Sequence, residues 1–215
     1  MAEIRVGGLE RLSVCDWPDR LVATVFLQGC PWNCGYCHNP HLIPAGAETS
    51  LQWSEVLAFL EQRRGLLDGV VFSGGEPTLQ AALPEAMRQA AALGFDIGLH
   101  TGGPYPARLA AVLPLVDWVG FDFKAVFADY EGTTATPGSG ARAKASLELL
   151  IASGVACEIR TTVHPNLLDE RRLAVMRQEL SAMGVVEWKL QRFRPEGCAT
   201  AGLARLAAAG AQSAV

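Results

Sequence analysis

Residues 21–27 read Leu21-Val22-Ala23-Thr24-Val25-Phe26-Leu27, and the chain continues Gln28-Gly29-Cys30-Pro31-Trp32-Asn33-Cys34-Gly35-Tyr36-Cys37-His38-Asn39-Pro40. The first seven are aliphatic, β-branched or aromatic and carry no charge, the composition of a buried strand. The segment that follows packs three cysteines into eight residues, between Gly29 and Pro40, on a loop. In open parallel α/β sheets, ligands gather beyond the carboxyl ends of the strands. A buried strand running straight into a cysteine loop fits that placement.

Outward from this stretch the pattern repeats. Residues 53–64 have helical spacing, with Ser50 or Ser54 as caps, and 68–72 form a strand that runs into Gly74 and Gly75. A helix over 79–93 stops at Gly94, where a glycine is expected after a helix end. Strand 96–101, helix 107–115 and strand 118–124 follow, then a loop over 133–140. Helix 141–153 closes at Gly154, strand 156–163 leads to helix 170–183 and Gly184, and 186–193 is the last strand. About six βα units without tight hairpin turns mean a parallel sheet with helical crossovers. Eight units close a barrel; six give an α/β fold that is a partial (β/α)6 TIM-like barrel, open on one side. A doubly wound open sheet satisfies the same periodicity. One domain is expected over 1–197. The Ala- and Gly-rich tail 198–215 is expected to hold a short helix over 201–209 or to be disordered.

Composition excludes several classes. The 215 residues are half apolar, enough for a full core, and 18 basic against 22 acidic side chains leave a net charge of -4. That balance gives no bulk electrostatic reason to bind nucleic acid or an anionic membrane. Arg192 and Arg194 are too few for a phosphate track. No apolar run approaches the ~18 residues of a membrane span. Met1 to Arg5 lack the basic-then-apolar order of a secretory signal, so a cytoplasmic location is expected. Cys15, Cys157 and Cys198 are scattered and read as ordinary thiols; a disulfide scaffold belongs to small secreted chains.

The clustered cysteines read as metal ligands, and thiolates at this spacing suit either an iron–sulfur cluster or zinc. Structural zinc would want its fourth position filled, by His38 or a distant cysteine. A reactive cluster would leave it open. Spacing alone does not choose. Gly74-Gly75-Glu76-Pro77 is either a tight turn or a place where backbone approaches a ligand. Strand alternation puts Asp122 and Lys124 on one face, as an internal salt bridge or as a clamp on a zwitterion. Arg160 is a candidate site residue, or a structural arginine paired with Glu158 or Glu187. His38 shapes its loop or hydrogen-bonds, and His164 sits in a turn.

The CxxxCxΦC pattern, with Tyr36 at the aromatic position, resembles the signature of the radical S-adenosylmethionine (SAM) enzymes, and Gly74-Gly75-Glu76-Pro77 resembles their SAM-contacting GGEP turn. The resemblance implies a [4Fe–4S] cluster on Cys30, Cys34 and Cys37, with one iron left for SAM, and cleavage of SAM to a 5′-deoxyadenosyl radical. Asp122-Phe123-Lys124, Thr101-Gly102 and Arg160 are similar to features of the glycyl-radical-enzyme activases, with Gln191 or Arg194 in the place of a last SAM contact. Tyr36, His38, Gly74, Gly75, Glu76, Thr101, Asp122, Lys124, Arg160 and Arg194 are the cofactor-binding residues so implied. His100 stands where related activases often have Asp.

From 4 to 196 the chain most resembles the activating proteins of anaerobic ribonucleoside-triphosphate reductases, through Gly7-Gly8-Leu9, Leu12-Ser13, Asp16-Trp17-Pro18 and Cys37-His38-Asn39-Pro40. That implies a glycyl radical enzyme as protein substrate and a flavodoxin or ferredoxin as electron donor. The alternatives are a radical SAM enzyme acting on a small molecule, similar to 7-carboxy-7-deazaguanine synthase, and a zinc-stabilised binding module.

Overall fold

A computed structural model describes residues 3–199 and Gly202. Its seven strands form one sheet in sequence order. They are β1 (Val6–Ser13), β2 (Val22–Leu27), β3 (Gly69–Gly74), β4 (Asp96–Thr101), β5 (Trp118–Asp122), β6 (Ala156–Val163) and β7 (Trp188–Arg192). From β2 to β7 every pair is parallel. The first and last strands of the sheet do not pair, so it is an open barrel of six parallel strands with one addition.

That addition is β1, where the sequence pattern places no element. It runs antiparallel to β2, with register shifts between Val6 and Gly8 and between Glu10 and Ser13. The six parallel strands match the expected partial (β/α)6 barrel, and β1 is an antiparallel strand added at its edge.

The helices are α1 (Trp53–Glu61), α2 (Leu83–Ala92), α3 (Pro106–Val112), α4 (Tyr130–Thr134), α5 (Ser139–Ser153) and α6 (Glu170–Ala182). Residue 52, not Ser50 or Ser54, caps α1; the Glu55 carboxylate accepts the Gln52 N–H at 2.8 Å. The loop expected over 133–140 contains the end of α4 and the start of α5. The helix expected over 201–209 lies outside the described residues, apart from Gly202.

Alternation along the strands sorts the core into two layers. Ala23, Val25, Leu27, Val70, Phe72, Ile97, Leu99, Val119, Phe121 and Ile159 face the helices and join the main core. Val22, Val71 and Trp118 face the other way and form a second cluster with Trp17, which the segment after β1 inserts among them. Trp17 stacks on Trp118 at 5.3 Å. A Cβ at Gly98 would lie 2.9 Å from Trp17, so the glycine makes room for the indole. These tryptophans close the barrel toward the start of β5. The interior above them is polar.

Candidate functional site

The interior holds a cavity of ≈ 180 Å³ lined by strand-end residues from β3 to β6 and by the loop after β2. It is shaped by the cysteine loop, by Gly74, Gly75 and Glu76, by Thr101 and Gly102, and by Asp122, Lys124 and Arg160. Cys30, Cys34, Cys37, Tyr36 and His38 all line it. Of the cofactor-binding residues expected from the sequence, Arg194 is the one that does not. Its side chain is exposed on a wider groove of ≈ 1180 Å³. His38, Asn39, Ser73, His100, Asp122, Arg160 and Thr162 line both spaces, so the cavity opens into the groove.

The glycine pair has a packing reason. A Cβ on Gly75 would lie 2.3 Å from the Gly29 carbonyl oxygen. The turn after β3 therefore rests directly on the base of the cysteine loop, and Glu76 N–H donates to that same carbonyl at 2.8 Å. Glu76 is buried. Its carboxylate accepts from Thr78 N–H at 3.0 Å, from the Thr78 hydroxyl, from the Thr101 hydroxyl at 2.8 Å and from Gly102 N–H at 3.1 Å. It thus ties the end of β3 to the end of β4. Burial pushes its pKa up, against the pull of these donors.

Three charges meet beside the cysteines. Asp122 accepts from Arg160 Nε at 2.7 Å and from Lys124 Nζ at 3.4 Å. Burial alone would raise the Asp122 carboxyl, but Arg160 and then Lys124 outweigh it and hold it below the usual carboxylate range. Burial works against the Lys124 ammonium; Asp122 overrides it and keeps the lysine charged. Arg160 therefore pairs with Asp122, while Glu158 pairs with Lys189 at 3.2 Å and not with Arg160. The trio carries one net positive charge, suited to a carboxylate.

His100 was not among the expected site residues. Its Nε2 lies 2.7 Å from the Asp16 carbonyl oxygen and its Nδ1 3.2 Å from Ser73 Oγ. A proton on Nε2 donated to Asp16 and an acceptor Nδ1 facing the serine hydroxyl satisfy both. Burial, then the Arg160 guanidinium at 3.2 Å, push its pKa down to about 4. Gly120 leaves space for this crossing, since a Cβ there would lie 2.8 Å from the imidazole and 3.0 Å from Arg160.

His38 acts outside the cavity as well: its Nε2 lies 2.8 Å from the Arg194 carbonyl oxygen. Cys198 is not remote either, since its thiol donates to the Tyr36 carbonyl at 3.4 Å. Burial, then Glu76, push the Cys30 thiol up to about 12, and burial pushes Cys34 up to about 11. Thiols held that high are not free nucleophiles; a metal centre is what would deprotonate them.

Residues 24–178 match the family model of the radical SAM superfamily. The chain belongs to the radical SAM superfamily. A Methanocaldococcus jannaschii protein, named as a glycyl-radical enzyme activating enzyme, is 28% identical over 211 residues, 89% of this chain and 80% of its own length. The pyruvate formate-lyase-activating enzyme of Clostridium pasteurianum is 30% identical over 173 residues, 78% of this chain and 71% of its own. Among solved structures, QueE from Escherichia coli superposes with a TM-score of 0.57 at 15% identity, covering 99% of this chain and 91% of that one. That likeness concerns the fold. Radical SAM enzymes use a [4Fe–4S] cluster and SAM. The donor set fits that pair: three free thiols on one loop line a cavity that also holds a positively charged carboxylate site.

Proposed function

We propose that this radical SAM protein is a glycyl-radical-enzyme activase whose substrate is an anaerobic ribonucleoside-triphosphate reductase, with flavodoxin or ferredoxin as electron donor. The observation that carries the reading is the pairing of a small charged cavity with a wide lateral groove. A loop of a large protein fits such a groove, and the described chain has little structure beyond the barrel with which to enclose a small molecule. The names of the two relatives point the same way.

In this reading Cys30, Cys34 and Cys37 would hold the cluster, and the cavity beside them would hold SAM. Reduced and bound, the pair supplies a 5′-deoxyadenosyl radical. The chain's own residues bind, orient and shield. Lys124 and Arg160 attract the methionyl carboxylate, and Asp122 fixes both cations so that they do not collapse onto it. Glu76 keeps the turns after β3 and β4 in register, which presents the Gly74–Gly75 backbone to the methionyl amino group. Tyr36 and Trp32 wall the cavity with aromatic surface and exclude water. The partner's glycine Cα–H is the hydrogen donor, and no side chain is required as acid or base at that step.

The test is anaerobic electron paramagnetic resonance of the reconstituted protein with reductant, SAM and a candidate reductase. A glycyl radical doublet on the partner is expected. SAM cleavage without a radical on any partner, but with turnover of a small molecule, would replace this reading with the synthase-like one.

A further inference from the structure

The cysteine loop is closed at its base by a side chain. Gly29 N–H donates to the Leu42 carbonyl at 2.7 Å and Cys30 N–H to the Ile43 carbonyl at 3.0 Å, so the two ends of the loop lie side by side. Gln28, the residue before them, is 4% exposed. Its Nε2 donates to the His41 carbonyl at 3.0 Å and to the Pro44 carbonyl at 2.8 Å. The reverse amide orientation would set an oxygen against two carbonyls, so the donor assignment is fixed by its partners. Gln80 backs it from behind, donating through Nε2 to the Gln28 carbonyl at 3.0 Å and to the Arg5 carbonyl at 2.9 Å. Gly7 leaves space for this carboxamide; a Cβ there would lie 2.8 Å from Gln28 Oε1.

We infer that Gln28 is a positioning residue for the cluster. Its carboxamide fixes the span from Gly29 to Pro44 and thereby the directions from which Cys30, Cys34 and Cys37 approach. It touches neither cluster nor SAM. The backbone bonds of Gly29 and Cys30, the Glu76 N–H on the Gly29 carbonyl and the Arg5 guanidinium on the Ala45 and Ala47 carbonyls also hold this region; the Gln28 carboxamide adds the buried link to the carbonyls of His41 and Pro44. With Gln28 in place the ligands are preorganised before iron arrives, and opening the loop to release iron requires breaking the buried carboxamide contacts. The inference rests on the reading of these three cysteines as the cluster ligands.

The experiment compares the full chain with Gln28→Met, Gln28→Asn and Leu147→Ala. Leu147 is a fully buried residue of α5, away from the site, so its variant reports general destabilisation. Gln28→Met keeps the length and loses both donated bonds; Gln28→Asn keeps an amide too short to span both carbonyls. Two quantities are read: the rate at which a ferrous chelator bleaches the reconstituted cluster, and amide exchange at Gly29 and Cys30 in the metal-free protein. The inference expects both to quicken in Gln28→Met, bleaching by roughly tenfold, less in Gln28→Asn, and neither in Leu147→Ala. Bleaching of Gln28→Met no faster than that of Leu147→Ala overturns it, as does unchanged exchange at Gly29 and Cys30. A Cys34→Ala protein that still assembles the full cluster would instead refute the ligand reading, and the exchange data would still decide whether Gln28 holds the loop base.

Discussion

Asp122 and Arg160 face each other as register partners across the β5–β6 ladder, and the guanidinium Nε lies 2.7 Å from the carboxylate. The pairing places a second cation, Lys124, on the remaining carboxylate oxygen. Taking the carboxylate away leaves two neighbouring cations with no anion between them. Breaking a buried pair by removing one partner costs about 3–5 kcal/mol, and less where one partner opens onto a cavity, as Asp122 does. Asp122→Asn is expected to lower the thermal midpoint and to cut methionine release from SAM by roughly tenfold or more, for a loss of about 1.4 kcal/mol per decade. The carboxyl is depressed in the folded state, so its contribution is present above the unfolded value near ~4 and is lost as pH falls through the lower folded value. The midpoint difference between wild type and variant should stay constant from neutral pH down to about 5 and shrink only in stronger acid.

His100 titrates in the opposite chemical sense but with the same sign. Its pKa is depressed from 6.5 to about 4, so between those values the unfolded chain binds a proton that the folded chain refuses. Stability is complete above pH 6.5 and falls as pH drops toward 4, by about 1.4 kcal/mol per unit in the middle of that window. Melting curves of His100→Gln across the same range should be flatter than those of wild type. An equally steep slope in the variant would assign the proton elsewhere.

Gly75→Ala is expected to harm the cluster without touching it. The added methyl would lie 2.3 Å from the Gly29 carbonyl, a backbone atom that cannot swing aside. Overpacking of this kind costs about 1–3 kcal/mol, and here the yielding partner is the base of the cysteine loop. Iron content after reconstitution should fall well below wild type, whereas Gly132→Ala, whose Cβ meets nothing, should leave it unchanged.

Cys34→Ala should abolish SAM cleavage and the brown absorbance near ~400 nm expected of an iron–sulfur protein. Cys157→Ala should preserve both, since Cys157 is exposed on β6 and absent from the cavity lining. Zinc in place of iron on metal analysis, with four protein ligands, would restore the binding-module alternative.

The six parallel strands were legible because each is a short apolar or β-branched run between turn residues, buried in β2 to β5 and more exposed in β6 and β7. β1 was not: its Val-Gly-Gly-Leu-Glu-Arg-Leu-Ser sequence holds two glycines, exposes its middle and is bulged twice against β2, which erases the period of two. The cysteine loop and the Gly74–Gly75 turn were readable because their residues are adjacent in sequence. The Asp122–Arg160 pair, 38 residues apart, was not, because it depends on the register of β5 and β6. Glutamate partners nearer in sequence looked equally good for Arg160. The roles of Gln28 and His100 were hidden for a related reason. Their partners are backbone carbonyls and a serine, which leave no chemical signature in the order of residues.

The stacked Trp17 and Trp118 have a consequence for the order of events in turnover. They stopper the lower end of the interior, so SAM cannot enter, nor methionine and 5′-deoxyadenosine leave, by passing through the molecule. The cavity opens instead into the wide groove, and if the proposed macromolecular substrate docks there, loading would precede docking and spent fragments would leave once it lifts away.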